Sequence, residues 1–167
     1  MLMKRRTVLA LAAAVTLSAC GFHLRGMNGQ AALPFKTIYV GLPDTSPLGA
    51  ELKRYIRASG DTTVVDNPKE AEAILDVLAE KREKAILSLN TQGRVREYTL
   101  YYKLRFRVRD AKNKELIPSS DIVLKRDISF NESLVMAKEN EEALLYRDMQ
   151  SDLVQQLLRR LQAIKPV

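Results

Sequence analysis

The chain has 167 residues, 46% of them apolar, with one cysteine, one histidine, no tryptophan and a formal charge of +7. That is one domain of ordinary size with enough apolar material for a core. One cysteine excludes an internal disulfide, one histidine leaves no histidine-based metal cluster or catalytic triad, and six Tyr with four Phe and no Trp offer no stacking platform for nucleic acid.

Lys4, Arg5 and Arg6 form a basic start, and Val8 to Leu17 an apolar run of 10 residues, half of the ~20 needed to span a bilayer. The order Leu17-Ser18-Ala19-Cys20 then marks a lipoprotein cleavage site. Residues 1–19 are therefore expected to be a removable signal peptide, and Cys20 the acylated N-terminus of the mature chain. Removing them takes the formal charge from +7 to +4 and leaves 148 residues. One acyl chain holds a protein only marginally, so the three chains typical of bacterial lipoproteins are what make a stable tether. Gly21 stands where an inner-membrane retention signal has Asp, so the expected address is the periplasmic face of the outer membrane, with the chain held in its lipid through Cys20.

Residues 21–26 read Gly-Phe-His-Leu-Arg-Gly. Behind a lipidated cysteine, this run resembles the LPS-assembly lipoprotein family LptE, and the similarity extends over 20–167. His23 reads as an anchoring or packing residue. Residues 20–36 form the expected tether, and 37–167 the domain.

Thr37 to Val40, Thr-Ile-Tyr-Val, predicts a first strand. Ser46-Pro47 supplies an N-cap and a first helical residue, and Leu48, Leu52, Tyr55 and Ile56 give an amphipathic helix ending at Gly60, with Glu51, Lys53, Arg54 and Arg57 on a solvated face. Thr62 to Val65 predicts a short second strand. From Lys69 to Leu87 the Ala, Glu, Lys and Leu content favours helix, yet Leu75, Val77 and Ala79 alternate with Asp76, Leu78 and Glu80. The reading adopted is a helical turn over 69–72, then a strand from Ile74, as the resemblance also implies.

Asn90 to Gly93 is a turn. Beyond it Tyr98, Leu100, Tyr102, Leu104, Phe106 and Val108 alternate with a face carrying Lys103, Arg105, Arg107 and Arg109. Four cations two residues apart repel one another, so this ladder reads either as a solvated face or as a surface for an anionic partner. Asp110 to Ser120 predicts a polar hairpin, and Asp121 to Phe130 a last strand. Its apolar face is interrupted by Arg126, which either pairs with Asp127 or another acid or lies at the sheet edge. A final helix, Asn140 to Ala163, carries Leu145, Met149, Leu153, Leu157 and Leu161 on one stripe, with acids at its start and Arg159, Arg160 and Lys165 at its end.

The expected fold is α/β, a single-domain two-layer sandwich of two helices on a roughly four-stranded mixed sheet. No catalytic constellation, metal site or cofactor motif is present in the sequence, so it does not read as an enzyme. The resemblance implies a complex with the outer-membrane β-barrel LptD, whose assembly the protein supports and whose lumen it plugs, and binding of lipopolysaccharide. It also implies a binding role for the lysine of Ala137-Lys138-Glu139-Asn140-Glu141, which is Lys138, and for a hairpin arginine. The position aligned with that arginine is Thr91, with Arg94 and Arg96 a few residues on. The competing reading is a generic outer-membrane lipoprotein whose cationic strand touches anionic lipid or peptidoglycan.

Overall fold

The β-branched run Thr37–Gly41 forms β1, burying Ile38 and Val40 on one face. The computed structural model describes residues 33–165; the expected signal peptide, Cys20 and His23 lie outside them. Helix α1 covers Pro47–Ser59. The Ser46 side chain accepts the Gly49 N–H at 3.1 Å, Pro47 occupies the first turn, and Gly60 ends the helix at φ +79°, a left-handed cap that costs glycine no Cβ strain. Leu48, Leu52 and Ile56 are fully buried. Glu51, expected on the solvated face, is buried instead, because it lies one turn from Leu48 on the stripe that meets the second helix.

β2 (Thr63–Val65) lies parallel to β1, and a 3-10 turn over Pro68–Glu70 leads into β3 (Ala73–Leu89). Helix propensity loses here because β3 is paired on both sides at its start, parallel to β1 through Ala73–Asp76 and antiparallel to β4. β4 (Val95–Arg109) and β5 (Glu115–Ser129) complete the order β2-β1-β3-β4-β5. The sheet thus has five strands rather than roughly four; the three residues of β2 form the extra edge.

The hairpin expected over Asp110–Ser120 contracts to a turn, and β5 starts at Glu115, opposite Arg109. Pro118 is tolerated inside it because β5 is an edge strand, where a missing N–H leaves no neighbour unsatisfied. Helix α2 runs Val135–Gln162, five residues earlier than expected. A 3-10 turn at Glu132–Leu134, capped by the Asn131 side chain on the Ser133 N–H at 2.9 Å, feeds straight into it. Met149, Leu153, Val154, Leu157 and Leu161 pack with α1 and the inner faces of β1, β3, β4 and β5 into one core. Leu33 and Phe35, within the expected tether, belong to that core as well.

Each ladder cation has an acid on a neighbouring strand. Lys103 lies 2.6 Å from Glu83, Arg105 2.9 Å from Asp121, and Arg107 and Arg109 share Asp76 at 2.9 and 2.8 Å. Arg126 reaches Asp152 of α2 at 2.6 Å, so it clips the edge strand to the helix layer.

Candidate functional site

The β3–β4 turn is built by Asn90, whose side-chain oxygen accepts the N–H groups of Gln92 and Arg94, both at 2.9 Å, with Gly93 at φ +76°. This Asx geometry carries the chain through a tight reversal and sets Arg94 and Arg96 at the turn end of the hairpin. Arg94 Nη1 meets Glu132 at 3.2 Å, both side chains being well over half exposed. Arg96 accepts the Phe130 N–H on its backbone carbonyl at 2.8 Å. Its side chain is exposed and makes no ion pair among the described residues.

β5 returns to this end, and the Phe130 ring meets Tyr98 edge-on with centroids 5.3 Å apart. α2 starts beside it. Lys138 Nζ donates to Ser129 Oγ at 2.9 Å and to Glu141 at 2.7 Å, and its side chain is only 18% exposed. Lys138 is therefore a positioned cation rather than a free surface one. The early start of α2 sets this up, placing Lys138 in the first turn of the helix, over the end of β5.

Between these elements lies a cavity of about 220 Å³, walled by Tyr98, Ile128, Phe130 and Val135 and edged by Lys84 and Lys138. Lys84 sits 4.3 Å above the Tyr98 ring and 2.6 Å from Glu142. It is the residue that sequence reasoning missed. Its signal was present as Glu80, Arg82 and Lys84, polar at every second position on the inner face of β3. Those residues fall in the segment where helix and strand compete.

The same end exposes large apolar side chains. Ile86 stands opposite Tyr98 and Leu89 opposite Val95, and Leu134 and Met136 flank the start of α2, Met136 being 77% exposed. The structure thus sets Lys84 and Lys138 on a partly apolar pocket that Glu139 and Glu142 also line, and places Arg94 and Arg96 at the same end of the sheet but outside that lining. The four-cation ladder lies on the outer face of β4, away from this pocket, where three acids, Glu83, Asp121 and Asp76, face it. Among the described residues no group of His, Cys, Asp and Glu could hold a metal ion. The arrangement suits an amphipathic anion, with cations for its acidic groups and apolar surface for its hydrocarbon.

Known proteins share both the sequence and the fold. The chain is 28% identical over 163 residues to the LPS-assembly lipoprotein LptE of Pectobacterium atrosepticum, covering 94% of this chain and 84% of that one. It is 28% identical over 160 residues to the LPS-assembly lipoprotein LptE of Yersinia enterocolitica, covering 92% and 73%. The solution structure of an uncharacterized lipoprotein B from Nitrosomonas europaea is 42% identical with a TM-score of 0.72, covering 86% of this chain and 91% of its own. The rare lipoprotein B of Shewanella oneidensis, 23% identical with a TM-score of 0.64 over 75% and 93% of the two chains, has the same fold. The sequence model of LptE, lipopolysaccharide assembly, matches residues 35–161. With the α/β fold and the cationic, apolar-rimmed end in place, the chain belongs to the LptE family and is a non-enzymatic lipoprotein of lipopolysaccharide assembly in the cell envelope.

Proposed function

We propose that this lipoprotein, anchored through acylated Cys20 at the periplasmic face of the outer membrane, binds lipopolysaccharide at the hairpin end of its sheet. We further propose that it does so in complex with the β-barrel LptD, whose assembly it supports and whose lumen it plugs. The observation that carries the binding half is the placement of Lys84 and Lys138 on a pocket walled by Tyr98, Phe130 and Val135, with Arg94 and Arg96 at the same end of the sheet. Lipopolysaccharide offers phosphates and acyl chains side by side, which is the pairing this end presents. Lysine supplies a point charge and arginine a planar fork, and cations fixed by Ser129, Glu132 and Glu141 need little reordering to receive an anion. No helix among the described residues is long and apolar enough to cross a membrane, so in this reading Cys20 supplies the attachment.

Lys138→Asp is expected to weaken lipopolysaccharide binding by about tenfold or more, the scale of one charge-assisted hydrogen bond, while the circular dichroism spectrum stays the same. Unchanged affinity would remove Lys138 from the site. Charge reversal at Arg94 and Arg96 is expected to cause a smaller loss that shrinks with added salt. For the barrel, purification from solubilised outer membranes is expected to yield a detergent-stable one-to-one complex with a large β-barrel; a lone monomer would favour the generic tether.

A further inference from the structure

A second and larger opening lies beside the hairpin end. β1 covers β3 only through Ala73–Asp76, so beyond Asp76 the space between α1 and α2 opens as a cleft of about 930 Å³ with β3 along its floor. That is at the upper end of the ~300–1,000 Å³ range of small-molecule sites. Its centre is Arg82. The guanidinium lies 4.6 Å from the Tyr102 ring centroid and 5.6 Å from that of Tyr146. It is oriented by two hydrogen bonds, both from Nη2, to Tyr102 Oη at 3.2 Å and Gln150 Oε1 at 3.0 Å. An arginine has five N–H donors, and among the described residues Nε and Nη1 have no protein partner.

Arg54 and Arg147 stand on the helix walls of the cleft, and neither forms an ion pair among the described residues. Glu51, the buried acid of the lining, has both oxygens occupied, by Gln150 Nε2 at 2.7 Å and by the Ser151 hydroxyl at 2.7 Å. Both donors are neutral, so Glu51 is satisfied but has no counter-ion among the described residues, whereas Glu142 is paired with Lys84. The lining thus sets four cations, Arg54, Arg82, Lys84 and Arg147, against three acids, Glu51, Glu139 and Glu142, with Arg82 held between two tyrosines.

The cleft is continuous with the hairpin-end cavity, since Lys84, Glu139 and Glu142 line both. We propose that it binds the carboxylate-bearing core sugars of the same lipopolysaccharide molecule whose phosphorylated lipid portion sits at the hairpin end. This rests on the reading of that end as the lipid site. Acidic sugars are attached directly to the phosphorylated lipid, so two adjoining anion sites match one ligand. Because Nη2 is taken by Tyr102 and Gln150, the free Nε and Nη1 of Arg82 do not lie side by side, and each can give one charge-assisted hydrogen bond to a carboxylate or a sugar oxygen. Gln150, Ser151 and Glu139 in the lining offer donors and acceptors to sugar hydroxyls.

The test uses the whole chain purified in detergent and two probes, bisphosphorylated lipid A and the same lipid carrying two acidic octulosonic sugars. Arg82→Gln is expected to weaken binding of the sugar-bearing lipid by about tenfold, the scale of one charge-assisted contact, and to leave lipid A binding unchanged. Arg82→Lys, which keeps the charge but not the separate Nε and Nη1 donors, should recover part of the loss, and Lys138→Asp should weaken both probes. An Arg82→Gln chain that binds both lipids as the parent does, or loses both equally, overturns the cleft assignment. A Lys138→Asp chain that loses neither overturns the hairpin-end reading instead. Should Arg82→Gln fail to fold, Arg147→Gln on the α2 wall carries the same test, and equal binding of the two probes relative to the parent overturns the proposal.

Discussion

Asp76 receives two guanidinium groups, from Arg107 and Arg109, at the point where β1 ends and β3 runs on alone. Burial pushes its carboxyl up, but the hydrogen bonds and charges of the two arginines outweigh this and hold it below its ordinary value of 3.8. A carboxyl depressed in the folded state stabilises the fold above its unfolded value and loses that contribution as the pH falls through the folded one. Asp76→Asn should therefore cost about 1–2 kcal/mol at neutral pH, between the worth of surface and buried pairs. The gap in melting temperature between variant and parent should close as the pH drops below 3.8; a gap constant down to low pH would mean the pair adds no net stability. The sequence showed the row of cations but not their acids, because the partners lie 16 to 33 residues away across the sheet. Tyr102 is a second case. Burial, with Glu80 beside it, raises its phenol to about 12, so it stays protonated, donating to Glu80 at 2.6 Å and accepting from Arg82. Tyr102→Phe should lower stability by about 1 kcal/mol, read by denaturant melting, with the ring stack on Arg82 retained.

The strands and helices were legible where one rule acted alone. β4 alternates cleanly over its length, and α1 carries a Ser-Pro start and a Gly end, so both matched expectation to within a few residues. The start of α2 was not legible. It has no side-chain cap of its own at Leu134, and the capping residue, Asn131, belongs to the preceding 3-10 turn. β3 was legible only through its alternation, against a helix-forming composition, and its two halves have different surroundings. Its first residues are flanked by β1 and β4, whereas from Val77 to Leu89 only β4 pairs with it. Native-state hydrogen exchange should show this directly. Amides of β4 from Leu100 to Val108, buried between two neighbours, should exchange slowest, and the outward amides of β3 beyond Val77 should exchange far faster. Uniform protection along β3 would mean that another chain covers the edge. At the flanked half, Gly41 is required by contact. A Cβ there would lie 2.9 Å from the Leu75 carbonyl oxygen, a backbone atom of the paired strand. Gly41→Ala should cost about 1–3 kcal/mol by overpacking, checked by thermal melting.

Across the whole molecule, the core and the candidate site draw on different side chains. The core is complete without Ile86, Leu89 and Met136, which are exposed at the hairpin end. Of the candidate residues, Arg94 and Arg96 lie far before Lys138 in the chain, and all three share one end only because β5 returns antiparallel to β4 and delivers the start of α2 to the hairpin turn. No local pattern in the sequence reports such a meeting, and the role of these residues came from resemblance rather than from periodicity. Exposed apolar side chains add nothing to a fold in water, so replacing all three by Ser should leave the melting temperature nearly unchanged, as surface substitutions do. If the end receives acyl chains, each side chain would be buried on binding, worth about 1.5–3 kcal/mol when complete. Even half of that for all three would lower the affinity for acylated lipid A by about tenfold or more. Binding of the deacylated sugar phosphate, which meets only the cations, should not change. Equal losses for both ligands would assign these residues to the shape of the hairpin end, and no loss for either would leave the cations alone to account for binding.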